Sequence, residues 1–164
     1  MSDLGSAIRL GPKAAMGLRL GAVVADFNQA YTSRLLRSAS ARLKALGGSL
    51  ISVEHVPGAL ELPSAAAWML AGGRLDGLLA LGCVIRGQTS HYDLVCQGSL
   101  QGLQRVALDS GKPVAFGVIT VEDKAQALAR CSGGRLDAGR HAAETVVAMG
   151  LLNRKLTRKG RPWA

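Results

Sequence analysis

LLALGCVIRGQTSHYD, residues 78–93, decides the fold of this 164-residue chain. Leu78 to Leu81 form an unbroken apolar run, the mark of a strand buried on both faces. Gly82 reads as the break in that strand, and Gly87 as a second turn signal. Two hydroxyls, Thr89 and Ser90, and a histidine, His91, then open a long helical pattern. The stretch is one strand–turn–helix unit. A glycine-and-hydroxyl turn at a helix start offers free backbone N–H groups and the positive end of the helix dipole to an anion. A histidine beside that anion moves protons near neutral pH.

Outward from this unit the alternation repeats. Residues 18–25 read as a strand. Residues 31–46 read as a helix, with Leu35, Leu36, Ala39, Leu43 and Leu46 on one stripe and Gly47-Gly48 at its end. A short strand at 49–54 leads to a helix at 62–71, with Pro63 in its first turn and Gly72-Gly73 after it. Residues 77–81 and 113–119 complete the strands; helices follow at 91–109, 122–130 and 138–153. Alternating apolar strands and helices predict a three-layer α/β/α sandwich, flavodoxin-like, with a four-stranded parallel sheet and helices on both faces. The expected organisation is a flexible N-terminal arm over 1–17, one domain over 18–153 and a basic C-terminal tail over 154–164.

Composition limits the function. The chain is 48% hydrophobic, which makes it globular, and 4% aromatic, which makes each ring informative. No apolar run is long enough to span a bilayer, and the N-terminus lacks the pattern of a signal peptide. Three cysteines without paired spacing fit reduced thiols, so a cytoplasmic protein without a membrane partner is expected. The net charge is +9, and Arg154, Lys155, Arg158, Lys159 and Arg161 crowd the tail. No nucleic-acid motif accompanies them, so the tail reads as solvated and nucleic acid is not an expected partner. Phosphate-loop, dinucleotide, zinc and nucleophile-elbow motifs are absent, and no metal site is expected.

Ligands of open parallel sheets bind beyond the carboxyl ends of the strands. There this chain places Asp26-Phe27-Asn28, then residues 56–61 (VPGALE), then residues 82–91; the fourth strand carries Phe116 and ends at Thr120. Each candidate also has a plainer reading. Phe27 either stacks on a planar ring or plugs the core. Asn28 and Glu61 serve a ligand or simply begin helices. His91 is a proton carrier or a helix-start residue, and Arg130 is an anion ligand or a cation at a helix end. On the third helix Val95, Gly98, Gly102 and Val106 share one face. That face suits either packing within the chain or a contact between subunits.

Together these pieces resemble the lumazine synthase family. The resemblance rests on VVADFN (23–28), VPGALELP (56–63), LGCVIRGQTSHYD (81–93), PVAFGVIT (113–120) and EDKAQALAR (122–130), in the family's order and spacing. It implies condensation of 5-amino-6-(D-ribitylamino)uracil with 3,4-dihydroxy-2-butanone 4-phosphate to 6,7-dimethyl-8-ribityllumazine, phosphate and water. This is the penultimate step of riboflavin biosynthesis and uses no cofactor. The resemblance further implies that Phe27 stacks on the pyrimidine with Asn28 beside it. Ala59, Leu60 and Glu61 would contact the ribityl chain, and Val84 and Ile85 would offer backbone groups to the uracil edge. Gln88 and Thr89 would hold the phosphate, and His91 would transfer protons. Phe116 and Arg130 would come from an adjacent subunit of a homopentamer, or of a shell of pentamers, with Arg130 on the phosphate. A functional link to riboflavin synthase is implied too. One departure stands out: many members carry a lysine where this chain has Ala138, and Arg135 or Arg140 is the candidate substitute for its charge.

Overall fold

The computed structural model describes residues 9–158. Its four strands are β1 (Leu20–Ala25), β2 (Leu50–Val56), β3 (Gly77–Ile85) and β4 (Val114–Val121). They form one sheet in the order β2-β1-β3-β4, and every pairing is parallel. Five helices connect them: α1 (Gln29–Ala45), α2 (Leu62–Ala71), α3 (His91–Ser110), α4 (Lys124–Ala129) and α5 (Ala138–Arg158). A 3-10 turn, Ala59–Glu61, precedes α2. The flavodoxin-like three-layer sandwich is therefore the fold observed.

The sheet separates two apolar layers. On one face Leu35, Ala39 and Leu43 of α1 meet Val146 and Val147 of α5 over β1 and β3. On the other, Leu62, Ala66 and Leu70 of α2 meet Leu103 of α3 over Val23, Leu78 and Val118. Helix α1 ends as its glycine pair predicts. Gly47 takes φ +78°, its N–H reaches Lys44 O at 3.0 Å, and the Gly48 N–H reaches Leu43 O at 2.9 Å. Helices α1 and α5 cross closely at Gly139, where a Cβ would lie 2.2 Å from Leu35 O.

Three features go beyond what the sequence gives. Strand β3 does not stop at Gly82 but continues to Ile85. Gly82 is a close-approach residue there: a Cβ would come within 3.3 Å of Leu62 and Val118 side-chain carbons. The glycine face of α3 packs within the chain, because a Cβ on Gly98 or Gly102 would strike Leu60 or Pro63 at 2.8 and 2.6 Å. The described part of the N-terminal arm is docked at its end: Ala15 is buried and its N–H bonds Leu46 O at 2.9 Å. The first eight residues and residues 159–164 of the basic tail lie outside the described residues.

Helix α5 runs into the segment expected to be tail, and Arg154 is structural. Its guanidinium donates to Gly17 O and, at 2.9 Å, to Asp76. Burial pushes the Asp76 carboxyl up, but hydrogen bonds from Arg19 and Arg154 outweigh burial and hold its pKa at about 2. Among the described residues no helix is long and apolar enough to cross a membrane.

Candidate functional site

The strand order reverses direction between β1 and β3, and the sheet opens there. Strand β1 pairs with β3 only as far as Leu81, whereas β4 follows β3 to Ile85. Beyond Leu81 one flank of β3 thus has no strand partner. Asn28 covers part of it: its side-chain amide donates to Cys83 O at 2.9 Å. Asn28 adopts φ +62° at the start of α1 and makes no side-chain cap. A left-handed asparagine here turns the chain sharply and ties the end of β1 to β3.

The turn leaves Phe27 71% exposed, so its ring does not plug the core. It forms one wall of a cleft of about 450 Å³, a size suited to a small organic ligand. Pro57, Gly58, Ala59, Leu60 and Glu61 form another wall, and Cys83, Val84 and Ile85 the floor. Gly87, Thr89, His91, Tyr92 and Val95 close the third side. The 3-10 turn brings Glu61 to the cleft, and its carboxylate makes no hydrogen bond or ion pair among the described residues. Buried apolar surroundings, then the neighbouring Cys131, push the Cys83 thiol up to about 12. At neutral pH it is an inert thiol and no nucleophile. Burial likewise pushes the Tyr92 phenol up, which keeps it neutral.

The start of α3 is open. Ser90 makes no side-chain cap, and the His91 N–H meets only Thr89 Oγ1, at 3.4 Å. The His91 imidazole has no side-chain partner among the described residues. Behind the loop, Arg86 extends the ladder through its N–H to Val121 O at 2.9 Å. Its guanidinium reaches Glu122 at 2.8 Å and Asp93 at 3.2 Å, and lies 4.0 Å from the centre of the Tyr92 ring. Sequence reasoning missed Arg86, since no motif marks a residue that acts through its neighbours. It also missed Tyr92 and Val95, whose places follow from α3 leaning over the cleft.

The cleft gathers Phe27, Ala59, Leu60, Glu61, Val84, Ile85, Thr89 and His91 from the expected site. Gln88 is on the same loop but outside the lining, and Asn28 spends its amide on Cys83 O. Phe116 and Arg130 lie outside the cleft of their own chain. Phe116 pairs with Ala80, five residues before the end of β3 at Ile85, so it stands roughly 16 Å down the sheet. It is 39% exposed, on the edge strand. Arg130 follows α4 and donates back to Gln126 O at 3.2 Å.

At Ala138 the departure is visible. Arg140, one of the two candidate substitutes, turns toward the preceding loop and donates to Gly134 O at 3.2 Å and Arg135 O at 3.4 Å. Glu144 lies 3.7 Å from the same guanidinium.

A family model described as 6,7-dimethyl-8-ribityllumazine synthase matches residues 17–154. A protein of that name from Thermococcus gammatolerans is 44% identical over 140 residues, 85% of this chain and 90% of its own. One from Methylibium petroleiphilum is 46% identical over 134 residues, 80% of this chain and 84% of its own. One from Bdellovibrio bacteriovorus is 44% identical over 132 residues, 80% of this chain and 73% of its own. This chain belongs to the 6,7-dimethyl-8-ribityllumazine synthase family and is a transferase-type enzyme of riboflavin biosynthesis.

Proposed function

We propose that the chain condenses 5-amino-6-(D-ribitylamino)uracil with 3,4-dihydroxy-2-butanone 4-phosphate in the cleft described above, the penultimate step of riboflavin biosynthesis. One observation carries this reading. The exposed Phe27 ring, the uncommitted Glu61 carboxylate and the open start of α3 with His91 all face one cavity.

Each part has a chemical task. Phe27 stacks on the pyrimidine. Glu61 accepts hydrogen bonds from ribityl hydroxyls beside Ala59 and Leu60. The unpaired flank of β3 at Val84 and Ile85 offers backbone groups to the uracil edge, and Asn28 fixes that edge relative to Phe27. Thr89, with Gln88, holds the phosphate at the helix start. The substrate's own amine attacks the ketone and loses water to form the imine, so no lysine is needed. His91 moves the protons that accompany loss of phosphate. Closing the second ring requires two reactants held face to face, an entropic gain that the cleft supplies.

Thr89 and His91, on the third side of the cleft, are exposed. A neighbouring subunit of a homopentamer fills that side in this reading and brings Phe116 and Arg130, with Arg130 against the phosphate. Leu94, Leu100 and Leu108, exposed on α3, supply apolar surface for such packing. The enzyme works in the cytoplasm, and riboflavin synthase consumes its product.

Incubation with both substrates tests the proposal through the fluorescence of the lumazine product. Product at a rate set by enzyme concentration is expected; none above the uncatalysed rate would reject it. Ala138, and an Arg140 committed to the preceding loop, favour a second reading, a relative that binds lumazine without turnover. It predicts product binding but no synthesis in the same assay.

A further inference from the structure

Arg86 is not in the cleft wall, yet it meets every element that frames the anion-binding loop. Its backbone N–H extends the β3–β4 ladder by one bond, to Val121 O. Its Nε donates to Glu122 Oε2 at 2.8 Å, just past the end of β4. Its terminal nitrogens fork onto Asp93, at 3.2 and 3.4 Å, in the first turn of α3. The guanidinium plane covers the outer side of Tyr92, a cleft residue. Residues 87–90 are strung between these anchors.

Charge makes the arrangement pointed. A carboxylate in a first helical turn is favourable for the helix but repels an anion seated on the same N–H groups. Asp93 is that carboxylate, two residues after His91, and Glu122 is a second one nearby. Within the described residues Arg86 is the cation paired with both.

We propose that Arg86 is a positioning residue for the phosphate-bearing substrate: it pins the 87–90 loop from outside the cleft and cancels the repulsion of Asp93 toward the bound anion. Lysine cannot reproduce the planar fork that serves two carboxylates and a ring at once. The inference rests on the phosphate reading of the α3 start.

The test measures inorganic phosphate binding by calorimetry, and both Michaelis constants, in wild type, Arg86→Gln, Asp93→Asn and the double variant. Arg86→Gln is expected to weaken inorganic phosphate, and to raise KM for the phosphate substrate, about tenfold. KM for the uracil substrate stays within about twofold. Adding Asp93→Asn recovers at least half of the loss on a logarithmic scale, because the unpaired carboxylate leaves with its partner. Asp93→Asn alone binds phosphate as well as wild type or better, and it serves as the test if Arg86→Gln fails to fold. Equal rises in both Michaelis constants, unchanged phosphate affinity in Arg86→Gln, or weaker binding in Asp93→Asn would each overturn the proposal. Wild type that binds phosphate without forming lumazine would instead reject the function and leave the role of Arg86 standing.

Discussion

Two helix starts in this molecule are built in opposite ways. At α5 the N-terminus is sealed. Asp137 is 0% exposed, accepts from the N–H of Gly133 at 2.7 Å and of Arg140 at 2.8 Å, and takes the Ser38 hydroxyl at 2.5 Å. At α3 the N-terminus is bare: Ser90 offers no cap, and Thr89, Ser90 and His91 face solvent or the cleft. A helix that exists only to be packed satisfies its own donors. One that leaves its start uncapped suits the anion of the proposed reaction, and Arg86 ties the loop there to Asp93 and Glu122.

Substitutions separate the two. Asp137→Ala should cost about 2 kcal/mol, since it removes a cap and takes the acceptor away from the half-buried Ser38 hydroxyl and the Gly133 N–H. Denaturant unfolding measures this, and a loss under about 1 kcal/mol would show that α5 does not depend on its seal. His91→Ala should leave stability within about 0.5 kcal/mol and slow turnover about a hundredfold, the low end of what general acid–base catalysis contributes. An unchanged rate would remove His91 from the chemistry.

Acid probes the far end of α5. The Asp76 pKa is depressed to about 2 in the folded chain, so the unfolded chain binds a proton first as pH falls. The stabilisation, about 2 kcal/mol, is fully present above pH 4 and is lost between roughly pH 4 and pH 2. Asp76→Asn should flatten that part of the stability curve; an unaltered slope would assign it to other groups. The smallest effect belongs to the bare terminus. Ser90→Ala should change stability by less than about 0.5 kcal/mol, because no capping bond is lost. A loss near that of Asp137→Ala would erase the contrast.

Much of this was legible in the sequence. Apolar strands alternating with amphipathic helices dictated the parallel sandwich, and glycine pairs marked the helix ends. The cleft residues were legible because parallel strands deliver their following loops to one rim. Other features were hidden for definite reasons. Gly82 looks like a turn in one dimension, and only the nearness of Leu62 and Val118 reveals why a strand needs a glycine there. Phe116 reads as a rim residue because its strand ends nearby, but sequence does not give the register that sets it beside Ala80. The small-residue face of α3 was open to two readings until Leu60 and Pro63 were seen to fill it. Arg154 reads as tail in a run of basic residues; its partner, Asp76, is far away in the chain.

The central claim is that one cleft unites a stacking wall at Phe27 and Glu61 with an anion seat at the start of α3. A crystal structure of the enzyme with 6,7-dimethyl-8-ribityllumazine and inorganic phosphate tests it most directly. The ring system is expected on Phe27, the ribityl hydroxyls on Glu61 and the phosphate on the first-turn N–H groups beside His91. Ligand density away from Phe27, or phosphate bound elsewhere with the α3 start empty, would contradict it.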